Sequence, residues 1–207
     1  WPVLIAQLAW FMHWKKFMKK KILFLGYGKK ITRIISFLKR KKYLVIEHGQ
    51  KNLLGKDTIG VDHIICFGYR KIIKKNVLKI LKNPAINLHI SYLPYNRGSH
   101  PNFWSFVENT PSGISIHEIN SGIDSGGIIY RKKIKFPLNK NLTFKKTHSI
   151  LLIEIEKLFF KKYKIIFNFK YKTKFPKEPG SFHNKRDLPK KFKNWNVSIK
   201  DYLKSLK

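Results

Sequence analysis

Acidic side chains are scarce in this chain: Asp and Glu together number 11, against 44 Lys and Arg, in 207 residues. With so few carboxylates, a buried imidazole has little choice of acidic partner. Cysteine is scarcer still. Cys66 stands alone in the apolar run Ile64-Ile65-Cys66-Phe67, so no disulfide can form within the chain, and a buried, inert thiol is expected. A reducing, cytoplasmic setting fits that usage. Long apolar runs are also missing. The stretch from Pro2 to Met12 is too short to span a bilayer, and it lacks the leading basic residue and small-residue cleavage site of a signal peptide. No Gly-x-Ser-x-Gly elbow or phosphate-binding P-loop occurs. His100 and His117 could be offered as metal ligands, but no Cys/His/Asp cluster has ligand spacing, so no metal is expected.

What is abundant is lysine. The formal net charge is +33, built from 38 Lys and only 6 Arg, alongside 27 Ile and 3 Ala. Such a bias is what an A+T-rich coding sequence produces whatever the function. It is also unevenly placed: no Lys lies between Lys82 and Lys132, where Arg97 and Arg131 are the only basic side chains besides His. A solvated lysine surface is favoured over a nucleic-acid groove, with a general attraction for phosphate-bearing ligands left in place. Hydrophobic residues at 43% and 16 Phe argue for one globular domain with a sizeable core.

The chain alternates strand and helix patterns. Met18-Lys19-Lys20-Lys21 leads into strand-like Ile22–Leu25 and reads as a natural start. Residues 1–17 are therefore expected to be an upstream or non-native segment, an interfacial anchor on Trp1, Trp10 and Trp14 being the lesser alternative. Gly26-Tyr27-Gly28 closes the first strand, and Ile31, Ile34, Ile35 and Leu38 follow at helical spacing. Tyr43–Ile46 and Asp62–Phe67 read as strands, and Ile72, Ile73, Val77, Ile80 and Leu81 as the stripe of another helix. Ile86–Ile90 is the next strand. Strands alternating with helices predict an α/β fold, Rossmann-like, with a mainly parallel sheet and helices on both faces. Beyond it come a short helix over Asn102–Val107, paired strands over Gly113–Ile119 and Ile128–Ile134, and a long helix from Thr143 to about Lys162. That helix should turn Ile150, Leu151, Ile153, Ile155, Leu158 and Phe159 inward, with Thr143 as its N-cap. Residues 18–166 form the expected catalytic domain, and 167–207 a Lys-rich extension with one strand.

Three residues stand out within this frame. Asn87 and His89 alternate on one strand and so point the same way, at the carboxyl end where parallel sheets place ligands. Asp124 follows 35 residues after His89, inside Gly122-Ile123-Asp124-Ser125-Gly126. An amide, an imidazole and a carboxylate could supply an oxyanion donor, a proton carrier and a group that sets the carrier's charge. Each also has a bland reading: a structural strand histidine, and an acid capping a turn. Gly26-Tyr27-Gly28 lacks the third glycine of a dinucleotide fingerprint, because position 31 is Ile, so a tight turn is the default there.

The run Asn87-Leu88-His89-Ile90-Ser91-Tyr92-Leu93-Pro94-Tyr95-Asn96-Arg97-Gly98 resembles the central motif of the folate-dependent formyltransferases. Gly113-Ile114-Ser115-Ile116-His117 with Gly122-Ile123-Asp124-Ser125-Gly126 resembles that family's second motif. Phe67-Gly68-Tyr69-Arg70-Lys71-Ile72-Ile73 matches more loosely the segment lining its folate pocket. The resemblance implies transfer of a formyl group from 10-formyltetrahydrofolate, as co-substrate, to a primary amine. It implies that Asn87 and a protonated His89 donate to the oxyanion, and that Asp124 holds His89 and favours its charged form. Arg70, Lys71, Ile72, Ile73, Gly122, Ile123 and Asp124 would contact the folate, and Tyr95, Arg97 and Trp104 the acceptor.

The acceptor is the open question. Family members acting on initiator methionyl-tRNA carry a further barrel domain, for which the residues after the long helix are too few. Glycinamide-ribonucleotide members have a longer N-terminal half; only 61 residues separate Gly26 from Asn87, as if a βα unit had been trimmed. Arg97-Gly98-x-x-Pro101-Asn102-Phe103-Trp104 and Gly180-Ser181-Phe182-His183-Asn184-Lys185-Arg186-Asp187 resemble short formyltransferases acting on amino sugars. A nucleotide-linked amino sugar is the expected acceptor, Trp104 or Phe103 serving as a stacking surface or as core. A formyltetrahydrofolate hydrolase using the same trio, and a non-enzymatic nucleic-acid-binding protein, are the competing classes. A homodimer stays open.

Overall fold

The computed structural model describes residues 19–137 and 141–206; the segment 1–17 lies outside them. Five α-helices, two short 3-10 helices (Gly55–Thr58 and Lys185–Asp187) and eight strands are present among the described residues. In chain order the strands and α-helices are β1 (Lys21–Gly26), α1 (Ile34–Arg40), β2 (Leu44–Gly49), β3 (His63–Phe67), α2 (Lys75–Ile80), β4 (Ile86–His89), β5 (Arg97–Gly98), α3 (Pro101–Val107), β6 (Gly113–Glu118), β7 (Ile128–Lys133), α4 (Phe144–Phe167), β8 (Phe182–His183) and α5 (Ile199–Lys204). Six strands form one sheet in the order β2-β1-β3-β4-β6-β7. The first four are mutually parallel, while β6 and β7 run antiparallel to their neighbours. The mainly parallel α/β architecture expected from the alternating pattern is observed.

Period-two alternation explains why both sheet faces are covered. On β1, Ile22 and Phe24 join a cluster with Ile34, Ile35 and Leu38 of α1 and Leu151, Ile155 and Phe159 of α4. Leu23 and Leu25 point the other way, packing with Leu53, Ile73, Val77 and Ala85. Even-numbered β4 and β6 residues (Ile86, Leu88, Ile114, Ile116) lie on the α1–α4 side. Asn87, His89, Ser115 and His117 are therefore delivered to the opposite face.

The helices differ in detail from the periodicity. α1 starts at Ile34, and Ile31 is exposed. The reason lies far away in sequence: the buried Glu156 carboxylate accepts from Thr32 Oγ1 at 2.7 Å and from the Arg33 N–H at 2.8 Å, satisfying donors at the helix entry from α4. α2 has only six residues, so the Ile72–Leu81 stripe is broken: Ile73 and Val77 are buried, Ile72 and Ile80 exposed. α4 runs five residues past the expected end, to Phe167, because Tyr163, Ile166 and Phe167 continue its buried stripe. Ile153 on the same helix faces solvent, one step off that stripe. Thr143 is its N-cap, accepting from the Lys146 N–H at 3.1 Å.

The C-terminal residues pack against the rest. Phe192 and Ile199 form a third cluster with Phe103 of α3, Leu142 and Phe144. β8 pairs in parallel with β5. Among the described residues no helix is long and apolar enough to cross a membrane.

Candidate functional site

One row across the sheet assembles the site. Cys66 on β3 lies opposite Asn87 on β4, which lies opposite His117 on β6. Register makes all three point to one face. His89 is one pleat further along, at the carboxyl end of the last parallel strand. Beyond β6 the chain stays paired as far as Ile119, whose N–H donates to Ala85 O at 2.8 Å. It then folds back through Gly122 to place Asp124 over this row. Asp124 itself sits in the left-handed region, at φ 46°, a conformation that short Asp and Asn side chains tolerate.

Asp124 is held from three sides. Asn87 Nδ2 donates to its Oδ1 at 3.0 Å, and the Gly98 N–H donates to its Oδ2 at 2.9 Å. His117 Nε2 is 3.4 Å from Oδ1, and His89 Nδ1 is 3.7 Å from Oδ2. The trio named from sequence thus converges, and His117 joins it as a fourth member. His117 Nδ1 lies 2.7 Å from the Glu118 carbonyl. A carbonyl only accepts, so Nδ1 carries a proton, and Nε2 faces both Asn87 Nδ2 at 3.2 Å and Asp124 Oδ1 at 3.4 Å. Both N–H bonds of the Asn87 amide therefore point into the protein. Flipping the amide would set its oxygen against the Asp124 carboxylate, which rules that orientation out. As placed, Asn87 orients Asp124 and His117; donation to an oxyanion requires it to release one of them.

The charge states follow from burial and from these contacts. Burial alone would raise the Asp124 pKa, but the neighbouring His89 and His117 and the Gly98 N–H outweigh it, holding the carboxyl well below the usual carboxylate range. Asp124 is an anion. For His89 the balance goes the other way: burial lowers its pKa below the ordinary 6.5, against the opposing pull of Asp124. Burial thus favours a neutral His89 ring at neutral pH, where the resemblance implies a protonated one. Its Nε2 is buried and has no hydrogen-bond partner among the described residues. Burial pushes the Cys66 thiol far up, which makes it inert.

The remaining predicted site residues are placed around this centre. Arg70, Lys71, Ile72 and Ile73 follow β3; the Arg70 N–H donates to Gln50 Oε1 at 2.9 Å, and Gln50 Nε2 donates to Gly68 O at 2.7 Å, so one amide pins this loop. The side chains of Arg70, Lys71 and Ile72 are exposed, whereas Ile73 belongs to the core. Gly122 and Ile123 precede Asp124 in a turn fastened by Asn120 Oδ1, which accepts from the Gly122 N–H at 3.0 Å and from Ser125 Oγ at 2.9 Å. The Tyr95 carbonyl accepts from Ser91 Oγ. Arg97 lies on β5, its Nε buried without a partner. Trp104, on α3, is stacked on His183 at 4.0 Å and 9°. One face of the indole is therefore already covered, leaving at most the other for a ligand.

From sequence, His117 stands as a possible metal ligand and as the end of the second motif, not as a member of the trio. The signal was present: Ser115 and His117 alternate with buried Ile114 and Ile116, which places the imidazole on the polar face of its strand. The Gly98 amide had no signal at all, since any residue except Pro carries one. Among the described residues, no group of three or more His, Cys, Asp or Glu side chains is arranged to hold a metal ion.

A family model described as formyl transferase matches residues 24–145. The formyltransferase PseJ of Anoxybacillus kamchatkensis, solved with UDP-4,6-dideoxy-4-formamido-L-AltNAc and tetrahydrofolate, superposes with a TM-score of 0.79 at 37% identity, over 86% of this chain and 95% of that one. The N-formyltransferase of Helicobacter canadensis, solved with folinic acid and dTDP-3-aminofucose, shares the fold, with a TM-score of 0.69 at 20% identity over 90% and 79%. Methionyl-tRNA formyltransferase of Finegoldia magna is 34% identical over 98 residues, 47% of this chain but only 31% of that protein. The chain thus aligns with about a third of the length of such curated relatives.

Proposed function

Since this chain belongs to the formyl transferase family, we propose that it transfers a formyl group from 10-formyltetrahydrofolate to a primary amine, the amine being that of a nucleotide-linked amino sugar. The observation that carries the chemistry is the buried His89 ring, its Nε2 unpartnered and its Nδ1 3.7 Å from the Asp124 carboxylate, where burial favours the neutral form. A neutral imidazole nitrogen in such a place can accept a proton; an already protonated one could not.

The proposed sequence of proton movements is short. As the amine attacks the formyl carbon, His89 Nε2 takes the proton leaving the nitrogen. The imidazolium so formed faces two negative groups, the carboxylate of Asp124 and the developing oxyanion, and both favour its charged form. When the bond between the formyl carbon and the folate nitrogen breaks, the same proton passes from His89 to that nitrogen. No proton is gained or lost overall. Asp124 keeps the ring oriented, while Asn87 and His117 keep Asp124 oriented. One Asn87 N–H, released from Asp124 or His117, is then available to the oxyanion.

The folate-side residues are proposed to be Arg70, Lys71, Ile72, Ile73, Gly122, Ile123 and Asp124, on the two loops that flank the row. Tyr95, Arg97 and Trp104 are proposed for the acceptor, with Arg97 the natural partner of a phosphate. The amino-sugar reading is supported by the formylated sugar nucleotide bound to the relative that is 37% identical over most of both chains. A methionyl-tRNA acceptor is the second reading, favoured by the identity to the Finegoldia magna protein. A cytoplasmic site of action accords with the free, buried thiol.

The test is a transfer assay with 10-formyltetrahydrofolate and nucleotide-linked 3- and 4-amino sugars, glycinamide ribonucleotide or charged initiator tRNA. Tetrahydrofolate release with a formylated sugar is the expected result. Formylated tRNA would replace the acceptor, and formate released without any amine would replace transfer by hydrolysis.

A further inference from the structure

The C-terminal strand β8 lies against the loop that follows β4, and the fit between them is unusually tight. Ser181 accounts for most of it. Its carbonyl accepts from the Arg97 N–H at 2.9 Å and its own N–H donates to Pro94 O at 3.3 Å. Its hydroxyl accepts from the Asn96 N–H at 2.9 Å and donates to Asn96 Oδ1 at 3.1 Å. The His183 carbonyl adds a bond from the Ser99 N–H at 2.8 Å. Glycine is required on both sides of this seam. A Cβ on Gly98, at φ 87°, would lie 2.4 Å from His183 O, and one on Gly180, at φ 65°, would lie 2.1 Å from Pro94 O.

The loop so gripped is the one that reaches the site. Asn96 is fully buried in the left-handed region, at φ 55°. A non-glycine residue persists there only when its surroundings over-determine it, and here Ser181 bonds both its backbone and its side chain. Two residues later, the Gly98 N–H holds Asp124 Oδ2.

We infer that Ser181 is a positioning residue for this site: it locks Asn96-Arg97-Gly98 in the turn that presents the Gly98 N–H to Asp124. The inference rests on the formyl-transfer reading for its catalytic consequence, but not for its structural one. His89 reports on the seam because the Asn96 backbone, Asp124 from its loop and His117 from β6 all act on that ring. Cys66 of β3 also senses Asp124. Loosening the turn removes the Asn96 backbone bond that raises the His89 pKa and admits water that relieves the burial lowering it, so the seam is read as a displaced His89 titration.

The experiment compares wild type, Ser181→Ala and Ser181→Thr in two measurements, steady-state formyl transfer and NMR titration of the His89 ring. Thr retains the hydroxyl. Ser181→Ala is expected to lower kcat about tenfold, the size of one lost hydrogen bond to a charged group, with little change in KM for the folate. Its His89 pKa should shift by more than about 0.5, and Ser181→Thr should restore both quantities. An unchanged His89 titration in Ser181→Ala overturns the inference. So does a loss of kcat without that shift or without rescue by Thr, which would mark Ser181 as merely structural. If wild type transfers no formyl group to any amine, the functional reading falls, and the titration still decides the role of Ser181.

Discussion

Asn87 donates to Asp124 Oδ1 at 3.0 Å, joining the central strand of the site to a loop 37 residues further along the chain. That bond and the Gly98 N–H leave both carboxylate oxygens satisfied, so Asp124 can remain an anion while buried. It supplies a fixed negative charge 3.7 Å from His89 Nδ1, which matters most when the ring acquires a proton.

Removing either partner should therefore cost turnover with the fold intact. Asp124→Asn takes away the charge that stabilises the imidazolium, and Asn87→Ala frees the carboxylate to move. Each is expected to lower kcat by roughly 10²–10⁴-fold, the usual range for acid/base and oxyanion groups. Steady-state kinetics with a circular-dichroism melt would check this. Near-normal turnover in either variant contradicts the assigned roles.

The pH dependence has a definite sign. Burial sets the His89 pKa below 6.5, so the neutral, proton-accepting ring persists into mildly acidic solution. The acid limb of kcat/KM should fall below pH 6.5. In Asp124→Asn the limb should move lower still, since the lost carboxylate was raising the His89 pKa. A limb above 6.5 would show that it does not report a His89 whose pKa is lowered by burial.

Acid stability should be governed partly by a different histidine. His63 is stacked on Phe167 at 4.3 Å and on Phe169 at 5.5 Å, and burial lowers its pKa to about 4 with Lys20 assisting and Asp62 opposing. The unfolded chain takes up this proton near 6.5 and the folded one only near 4. The stabilising contribution is therefore complete above 6.5 and declines as pH falls through that window. Urea midpoints at pH 7 and pH 4.5 should differ less for His63→Phe than for wild type. Equal differences would remove His63 from the account.

The Glu156 carboxylate offers a stability test remote from the site. It accepts from Thr32, from the Arg33 N–H and from Arg33 Nε at 2.8 Å. Glu156→Ala strands the buried Thr32 hydroxyl and the first donors of α1, which should cost about 2–4 kcal/mol. Glu156→Gln keeps one acceptor and should cost less. Chemical denaturation of both variants would decide, and a neutral Glu156→Ala would mean that water replaces the carboxylate.

Close approach makes the last prediction steric. Gly180→Ala would force a Cβ against Pro94 O in a left-handed backbone. It should lower the melting temperature and turnover together, whereas Gly28→Ala, where a Cβ meets nothing within 4 Å, should change neither. A silent Gly180→Ala would show that the seam with β8 yields easily.

Local patterning determined much of this protein. Period-two runs specified β1, β3, β4, β6 and β7, because a strand buried on both faces or alternating on one is visible within a few residues. The same alternation put Asn87 with His89, and flanking glycines singled out Asp124. Helix extents were less legible. Ile31, Ile72 and Ile153 satisfy helical spacing yet face solvent, since spacing says which residues share a stripe but not whether another element arrives to cover it.

Only the tertiary structure decided the electrostatics and the supporting contacts. His117 entered the site through its register opposite Asn87, and the Gly98 amide and Ser181 through a parallel pairing across 84 residues, from Arg97 to Ser181. The neutral state of His89 is likewise a product of burial, which the sequence of one strand cannot express. The physical reason is common to all of these. Strand patterning is a local property of the chain, whereas register, desolvation and backbone donors exist only after distant segments have packed together.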